Sequence, residues 1–233
     1  MALPTHPWNV TPKEAIAIQK ELRDQVRLTP LEREVRYIAG VDLSYTIGAD
    51  NLFAAFVILD AESLEVIARV GVEDNMPFPY IPGLLSFREI PALMKAWEQI
   101  PIQPDLIMAD GHGIAHPRRV GIASHLGLLT GVPALGCGKS LFVGKYEEPA
   151  PNKGSFSPLV DKEETIGYVL RTRDKVKPMF ISPGHLITLE ESRDWALKAV
   201  KKYRIPEPTR QAHLTVNALR RGEIPQGVWR RDP

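Results

Sequence analysis

Two periods of apolar residues organise this chain. Ala15, Ile18, Leu22 and Val26 recur at helical spacing behind Thr11-Pro12-Lys13-Glu14. There Thr11 can cap, Pro12 suits the first helical position and Glu14 the first turn. Leu28-Thr29-Pro30 ends this helix, which reads as an outer layer. Val35 to Tyr45, Leu52 to Leu59 and Leu64 to Val72 then read as strands, with turns at Ala49-Asp50-Asn51 and Asp60-Ala61-Glu62-Ser63. Short connections between consecutive strands predict an antiparallel meander. Ser86 to Gln99 is predicted helical, with Leu85, Ile90, Leu93, Met94 and Trp97 as its apolar face and Pro101 and Pro104 as its stop. Leu106 to Ala109 is a short, wholly apolar run and reads as a fourth, buried strand.

The second half is broken into shorter pieces. Pro117 to Thr130 is predicted helical, with Val120, Ala123, Leu126 and Leu128-Leu129 inward, and Val132 to Gly136 is a fifth strand. Gly144 to Gly154 reads as a mobile loop. Thr165 to Arg173 and Pro178 to Ser182 are two further strands. Thr188-Leu189-Glu190-Glu191 is a capping box that opens a helix to about Tyr203. A last helix runs from about Thr209 to Arg221 with Gly222 as its stop, and the tail from about 222, with Arg230 and Arg231, is expected to fray. The order strand, strand, strand, helix, strand places the fourth strand after a helical crossover, so it can lie parallel to an earlier one. The fold class is α/β: a mixed central sheet, three antiparallel strands and then parallel ones, flanked by helices. No repeat or linker divides the chain, and residues 1–233 are read as one domain.

Composition narrows the function classes. A chain of 233 residues buries a real core. No apolar run is long enough to span a bilayer, and Met1 to Val10 lacks the basic and apolar pattern of a signal peptide, so no membrane role and a cytoplasmic location are expected. Cys137 is the single cysteine, which excludes a disulfide framework and a four-cysteine zinc site. A net charge of +1 means that any nucleic-acid partner is held by a local patch.

Candidate chemistry collects where strands stop. Asp42 interrupts an apolar strand; it either caps a bulge or faces solvent at an edge, or it is held by a cation. The stretch Asp110-Gly111-His112-Gly113-Ile114-Ala115-His116-Pro117-Arg118-Arg119 follows the fourth strand and can put Asp110 at a sheet edge. Glu89 in the first turns of its helix is either a dipole partner or a third acid at that edge. If the first and fourth strands are neighbours, Asp42, Glu89 and Asp110 converge, a donor set that suits Mg²⁺ or Mn²⁺. His112 and His116 are four apart, but Gly113 and Pro117 argue against a helical zinc motif. Arg118 and Arg119 are phosphate contacts or a solvated pair. Lys139, just after the fifth strand, is a phosphate clamp or a surface lysine; Cys137 reads as a small buried residue. The turn Ser182-Pro183-Gly184-His185 contacts a base or phosphate or is simply structural. In Met76-Pro77-Phe78-Pro79-Tyr80-Ile81-Pro82-Gly83, Tyr80 is held on a stiff loop that suits insertion into a base stack, or is packed on the core.

Four of these stretches carry a family likeness. Ala39-Gly40-Val41-Asp42-Leu43-Ser44-Tyr45, the run from Pro79 to Glu89, the stretch from Asp110 to Arg119, and Pro206-Glu207-Pro208-Thr209-Arg210 together resemble bacterial endonuclease V, the deoxyinosine-specific nucleases of DNA repair. The resemblance extends from about Ile16 to Arg221. It implies an RNase H-like fold, Mg²⁺ with Mn²⁺ as a substitute, and deoxyinosine-containing DNA as partner. Asp42 and Asp110 match the metal-binding aspartates, Glu89 the third acid, His213 the histidine near the metal, and Lys139 the active-site lysine. Tyr80 matches the wedge that enters the duplex, with Pro82 beside it. Gly83, Leu85, Gly111 and Gly113 fall where flipped hypoxanthine is held, with His116 nearby. Where the family often has Val-Ala before the lysine, Cys137-Gly138 stands here. The implied reaction is hydrolysis of the second phosphodiester bond 3′ of the lesion, leaving a 3′-hydroxyl and a 5′-phosphate, by a monomer. An inosine-specific ribonuclease and a non-cleaving lesion or junction binder are the alternatives.

Overall fold

The computed structural model describes residues 3–46, 50–75 and 78–231. Met1 and Ala2 of the N-terminal stretch, Ala49 of the first expected turn, and Met76 and Pro77 of the proline-rich loop lie outside the described residues. The elements in order are α1 (Pro12–Arg23), β1 (Tyr37–Tyr45), β2 (Asn51–Asp60), β3 (Val66–Asn75), α2 (Leu85–Trp97), β4 (Leu106–Ala109) and α3 (Ile122–Thr130). Then follow β5 (Ala134–Gly138), β6 (Phe156–Asp161), β7 (Glu164–Leu170), β8 (Met179–His185), α4 (Leu189–Lys198), α5 (Glu207–Arg220) and β9 (Gly227–Arg230). The strands form one mixed sheet in the order β6-β7-β8-β5-β4-β1-β2-β3-β9. β1, β2 and β3 are the expected meander. β4 returns through α2 to lie parallel to β1, and β5 returns through α3 to lie parallel to β4.

The central strands are apolar on both faces because both faces are covered. Ala39, Val41, Phe56 and Ile107 pack with Ile90 and Leu93 of α2 and Leu126 of α3. Their sequence neighbours Ile38, Val57, Leu106 and Met108 pack with Ala196 of α4 and Ala212 of α5 on the other side. Successive strand residues point to opposite faces, so two cores need continuous apolar runs rather than alternation. No helix among the described residues is long and apolar enough to cross a membrane.

α5 lies directly on β1. A Cβ on Gly40 would come within 1.9 Å of the Pro208 carbonyl oxygen. Gly40→Ala is expected to push the two elements apart and cost roughly 1–3 kcal/mol, as overpacked cores do, measured by urea unfolding. Because α5 also carries His213, the same change should displace that imidazole from β1.

Three stretches depart from their sequence patterns. The helix expected from Pro117 starts only at Ile122; residues 117–121 form turns, with Arg119 at φ 61°. The strand Phe156–Asp161 is not predicted by its pattern: Leu159 is buried, but Phe156 and Val160 are exposed while Ser157 is buried. It is an edge strand, where Pro158 is tolerated. Its two-residue turn to β7 puts Lys162 and Glu163 at φ 53° and 67°, a conformation usually marked by Asn or Gly. The segment expected to fray beyond 222 supplies β9, paired antiparallel with β3 through Ala68 to Gly71. Trp229 stacks under Arg69 there, and backbone pairing holds a segment whose residues show no buried face.

Candidate active site

The parallel register of β1 and β4 makes the site. Val41 faces Ala109, so the next residues, Asp42 and Asp110, emerge side by side where β4 ends. Both are partly buried. The crossover helix α2 brings Glu89 over the same edge, and α5 brings His213, whose Nδ1 is 2.8 Å from Asp42 Oδ2. β5 ends beside β4 and carries Lys139 onto the edge, where its ammonium pairs with Asp110 Oδ2. Asp42, Asp110 and His213 each offer a ligand atom, all within 4.8 Å of one another. Glu89 stands outside that distance, yet both aspartates act on its ionisation.

Crowded carboxylates at a dry edge resist ionising together. Burial, then the charge of Asp110, pushes Asp42 up to about 6; its bonds from His213 and from the Leu43 N–H hold it from rising further. Burial, then the charge of Asp42, pushes Glu89 up to about 8. Three acids share an edge where Lys139 pairs with one of them, which leaves a deficit of positive charge. Hard oxygen donors plus one imidazole fit a divalent cation of the Mg²⁺ or Mn²⁺ type, and a cation would supply the missing charge.

Beside the acids opens a cavity of about 340 Å³ whose lining includes Tyr80, Pro82, Gly83, Leu85, Glu89, Asp110, Gly111 and His116. It therefore joins most of the sequence candidates to the acidic edge. Two aromatic residues of the proline-rich loop part ways: Phe78 packs into the core, while Tyr80 is 61% exposed at the cavity mouth. The loop is pinned at the Gly83 carbonyl, which accepts from Gln19 Nε2 (3.0 Å), His116 Nε2 (3.1 Å) and the Arg118 guanidinium (2.6 Å). His116 Nδ1 accepts from the Arg118 N–H at 3.1 Å, so Nε2 carries the proton. Burial, then the Arg118 charge, lowers His116 to about 4, and it is a neutral structural donor.

Other candidates sit elsewhere. Gly113 does not line the cavity. It is a packing position: its N–H donates to Ser182 Oγ at 2.8 Å, and a Cβ would meet the Pro183 carbonyl oxygen at 2.0 Å. Arg118 and Arg119 are both engaged within the chain: Arg118 holds Gln19 and Gly83, and Arg119 pairs with Asp161 and Glu164, both at 2.8 Å. His185 ends β8, and its Nδ1 accepts from the Arg27 N–H. Cys137 is buried, as expected.

Sequence reasoning passed over Gln19, which is 1% exposed on α1, and the cavity-lining Ser86 and Phe142, and it weighed His112 only as a zinc ligand. Gln19 did leave a signal, an amide beside the apolar stripe of Ala15, Ile18 and Leu22. Phe142 left none, since its ring meets His112 only through the loop after Lys139.

A family model described as Endonuclease V matches residues 20–214. An endonuclease V of Myxococcus xanthus (strain DK1622) is 48% identical over 217 residues, 93% of this chain and 92% of the relative. The crystal structure of endonuclease V from Streptomyces avermitilis is similar with a TM-score of 0.87 and 43% identity, covering 93% of this chain and 96% of that one. Endonuclease V of Ciona intestinalis, in complex with a 24mer DNA containing an inosine followed by a ribo-adenosine, is similar with a TM-score of 0.80 and 26% identity, covering 91% and 98%.

Proposed function

Since the chain belongs to the endonuclease V family, we propose that it is a metal-dependent deoxyribonuclease that nicks DNA at the second phosphodiester bond 3′ of a deoxyinosine. The observation that carries this reading is the cavity beside the acids: Glu89 and Asp110 line the same space as Tyr80, Gly83 and Leu85. One pocket thus serves base recognition and borders phosphate chemistry. The inosine-bearing DNA bound by the Ciona relative supports the choice of base.

Tyr80, exposed on its pinned loop, fills the gap left when the base leaves the stack. Hypoxanthine pairs weakly, so everting it costs less than everting a normal base. Asp42, Asp110 and His213, with Glu89 beside them, would hold a divalent cation, which when bound supplies Lewis acidity at a phosphate oxygen and lowers the pKa of a water. Lys139, fixed by Asp110, offsets charge that grows on the phosphate as water attacks. The water oxygen bonds to phosphorus, the P–O3′ bond breaks, the water loses a proton and the departing 3′ oxygen gains one. The enzyme acts as a monomer and meets its DNA substrate in the cytoplasm.

A single-turnover assay on a labelled duplex with one deoxyinosine, in Mg²⁺ or EDTA and beside an undamaged control, tests this. A single Mg²⁺-dependent nick 3′ of the inosine is expected. Faster cutting of the matching inosine RNA would move the assignment to a ribonuclease, and binding without product in Mg²⁺ or Mn²⁺ would move it to a lesion binder.

A further inference from the structure

A pair of histidines stands behind the cavity and takes no part in the proposed reaction. His125, on α3, is fully buried. Its Nε2 lies 2.7 Å from His6 Nε2, and its Nδ1 lies 3.1 Å from Ser86 Oγ. Ser86 is in the first turn of α2, three residues before Glu89, and lines the cavity. Trp8 stacks on His125 at 5.5 Å and Phe87 meets it edge-on at 5.4 Å, which shields His125 from water, while His6 at the far end is partly buried. Burial holds both imidazoles below the usual histidine range, so each is neutral and carries one N–H.

The far end of the chain decides its direction. His6 Nδ1 lies 3.0 Å from the Pro7 carbonyl oxygen, which can only accept. Nδ1 therefore holds the His6 proton, and His6 Nε2 is left an acceptor. His125 must donate through Nε2, which leaves its Nδ1 an acceptor in turn. Ser86 then gives its one hydroxyl proton to His125.

We infer that the His6–His125 pair fixes Ser86 as an acceptor-only group in the cavity wall, and that this makes Ser86 a specificity-determining residue for the base that enters. This rests on the proposed reading that the cavity takes an everted base. An oxygen that cannot donate rewards a base presenting an imino N–H, as hypoxanthine does, and opposes one presenting a bare ring nitrogen there. Specificity built on a buried polar partner is strong because the wrong base leaves a hydrogen bond unmade. His6 and His125 are positioning residues, since they act only through Ser86.

The test crosses protein and base in one cycle. Duplexes carrying deoxyinosine, or an unsubstituted purine deoxynucleotide that lacks the imino hydrogen, are cut by wild type, Ser86→Ala, His125→Leu and His125→Asn, and kcat/KM is compared. The preference for deoxyinosine is expected to shrink about tenfold in Ser86→Ala and His125→Leu, the loss of roughly one hydrogen bond. His125→Asn should keep most of it, because the amide oxygen can accept where Nδ1 did. A merely structural role slows both substrates alike, so an unchanged preference in Ser86→Ala, shown folded by its thermal melt, overturns the inference. Should the histidine variants fail to fold, Ser86→Ala alone decides it. Failure of the underlying reading looks different: wild type itself then shows no preference for deoxyinosine.

Discussion

Asp42→Asn is expected to slow nicking of a deoxyinosine duplex about a thousandfold while leaving affinity for that duplex within a few fold. The substitution keeps the size of the side chain and its place in β1, beside Ala55 and the end of β4. What it removes is one charge from the group formed with Asp110 and His213. Catalysis needs that charge to hold the cation, whereas binding draws on the Tyr80 loop and the cavity, which Asp42 does not line. Relieving repulsion between the site and the phosphates also works against any loss of affinity. Single-turnover nicking in Mg²⁺ gives the rate, and a mobility shift in EDTA gives the affinity. Nicking at the wild-type rate would remove Asp42 from the metal site; loss of binding together with rate would mean that β1 had been disturbed instead.

The convergence of Asp42 and Asp110 is legible in the sequence because it follows from topology. A meander, a helical crossover and a short apolar strand leave few ways to place β4, and beside β1 the two acids must meet. Glu89 follows because it rides on that crossover. The residues that do the fine holding are illegible for the same reason in reverse. Gln19 reaches Gly83 across 64 positions, and His6 reaches His125 across 119. Such pairs leave no periodicity and depend on where a loop lands. Arg118 and Arg119 look misplaced at a helix start because the helix does not start there; the residues before it are spent on turns that bring both guanidinium groups inward. β6 is hidden because an edge strand with one face in solvent can wear its apolar residues outward, as Phe156 does beneath Arg193. Local rules thus recover the elements that carry charge to the sheet edge, and miss the contacts that pin those elements together.

Glu89→Gln should separate the stability of the metal-free fold from the capacity to bind a cation. Glu89 has its folded pKa raised from an ordinary carboxyl value to about 8. Between those two values the unfolded chain has released the proton and the native chain still holds it. Stability therefore falls as pH rises through that window and levels off above about 8. The cost at pH 8.5 is on the order of 5 kcal/mol, the free energy of holding a proton so much more tightly in the folded chain than in the unfolded one. Asp42, raised to about 6, adds to the lower part of the same window. Glutamine carries no such penalty, so in EDTA the variant should melt higher than wild type at pH 8.5 and close to it at pH 5. A divalent cation reverses the order. It binds the ionised carboxylates, competes with their protons, and so stabilises wild type more at pH 8.5 than at pH 6. Glu89→Gln loses part of that gain and most of its dependence on pH above about 7, where Asp42 is already ionised. Thermal melts at the three pH values, with EDTA and with excess Mg²⁺, read both effects. If wild type and variant melt together in EDTA at pH 8.5, Glu89 ionises there without penalty, and the crowding of acids at this edge is not what makes room for the cation.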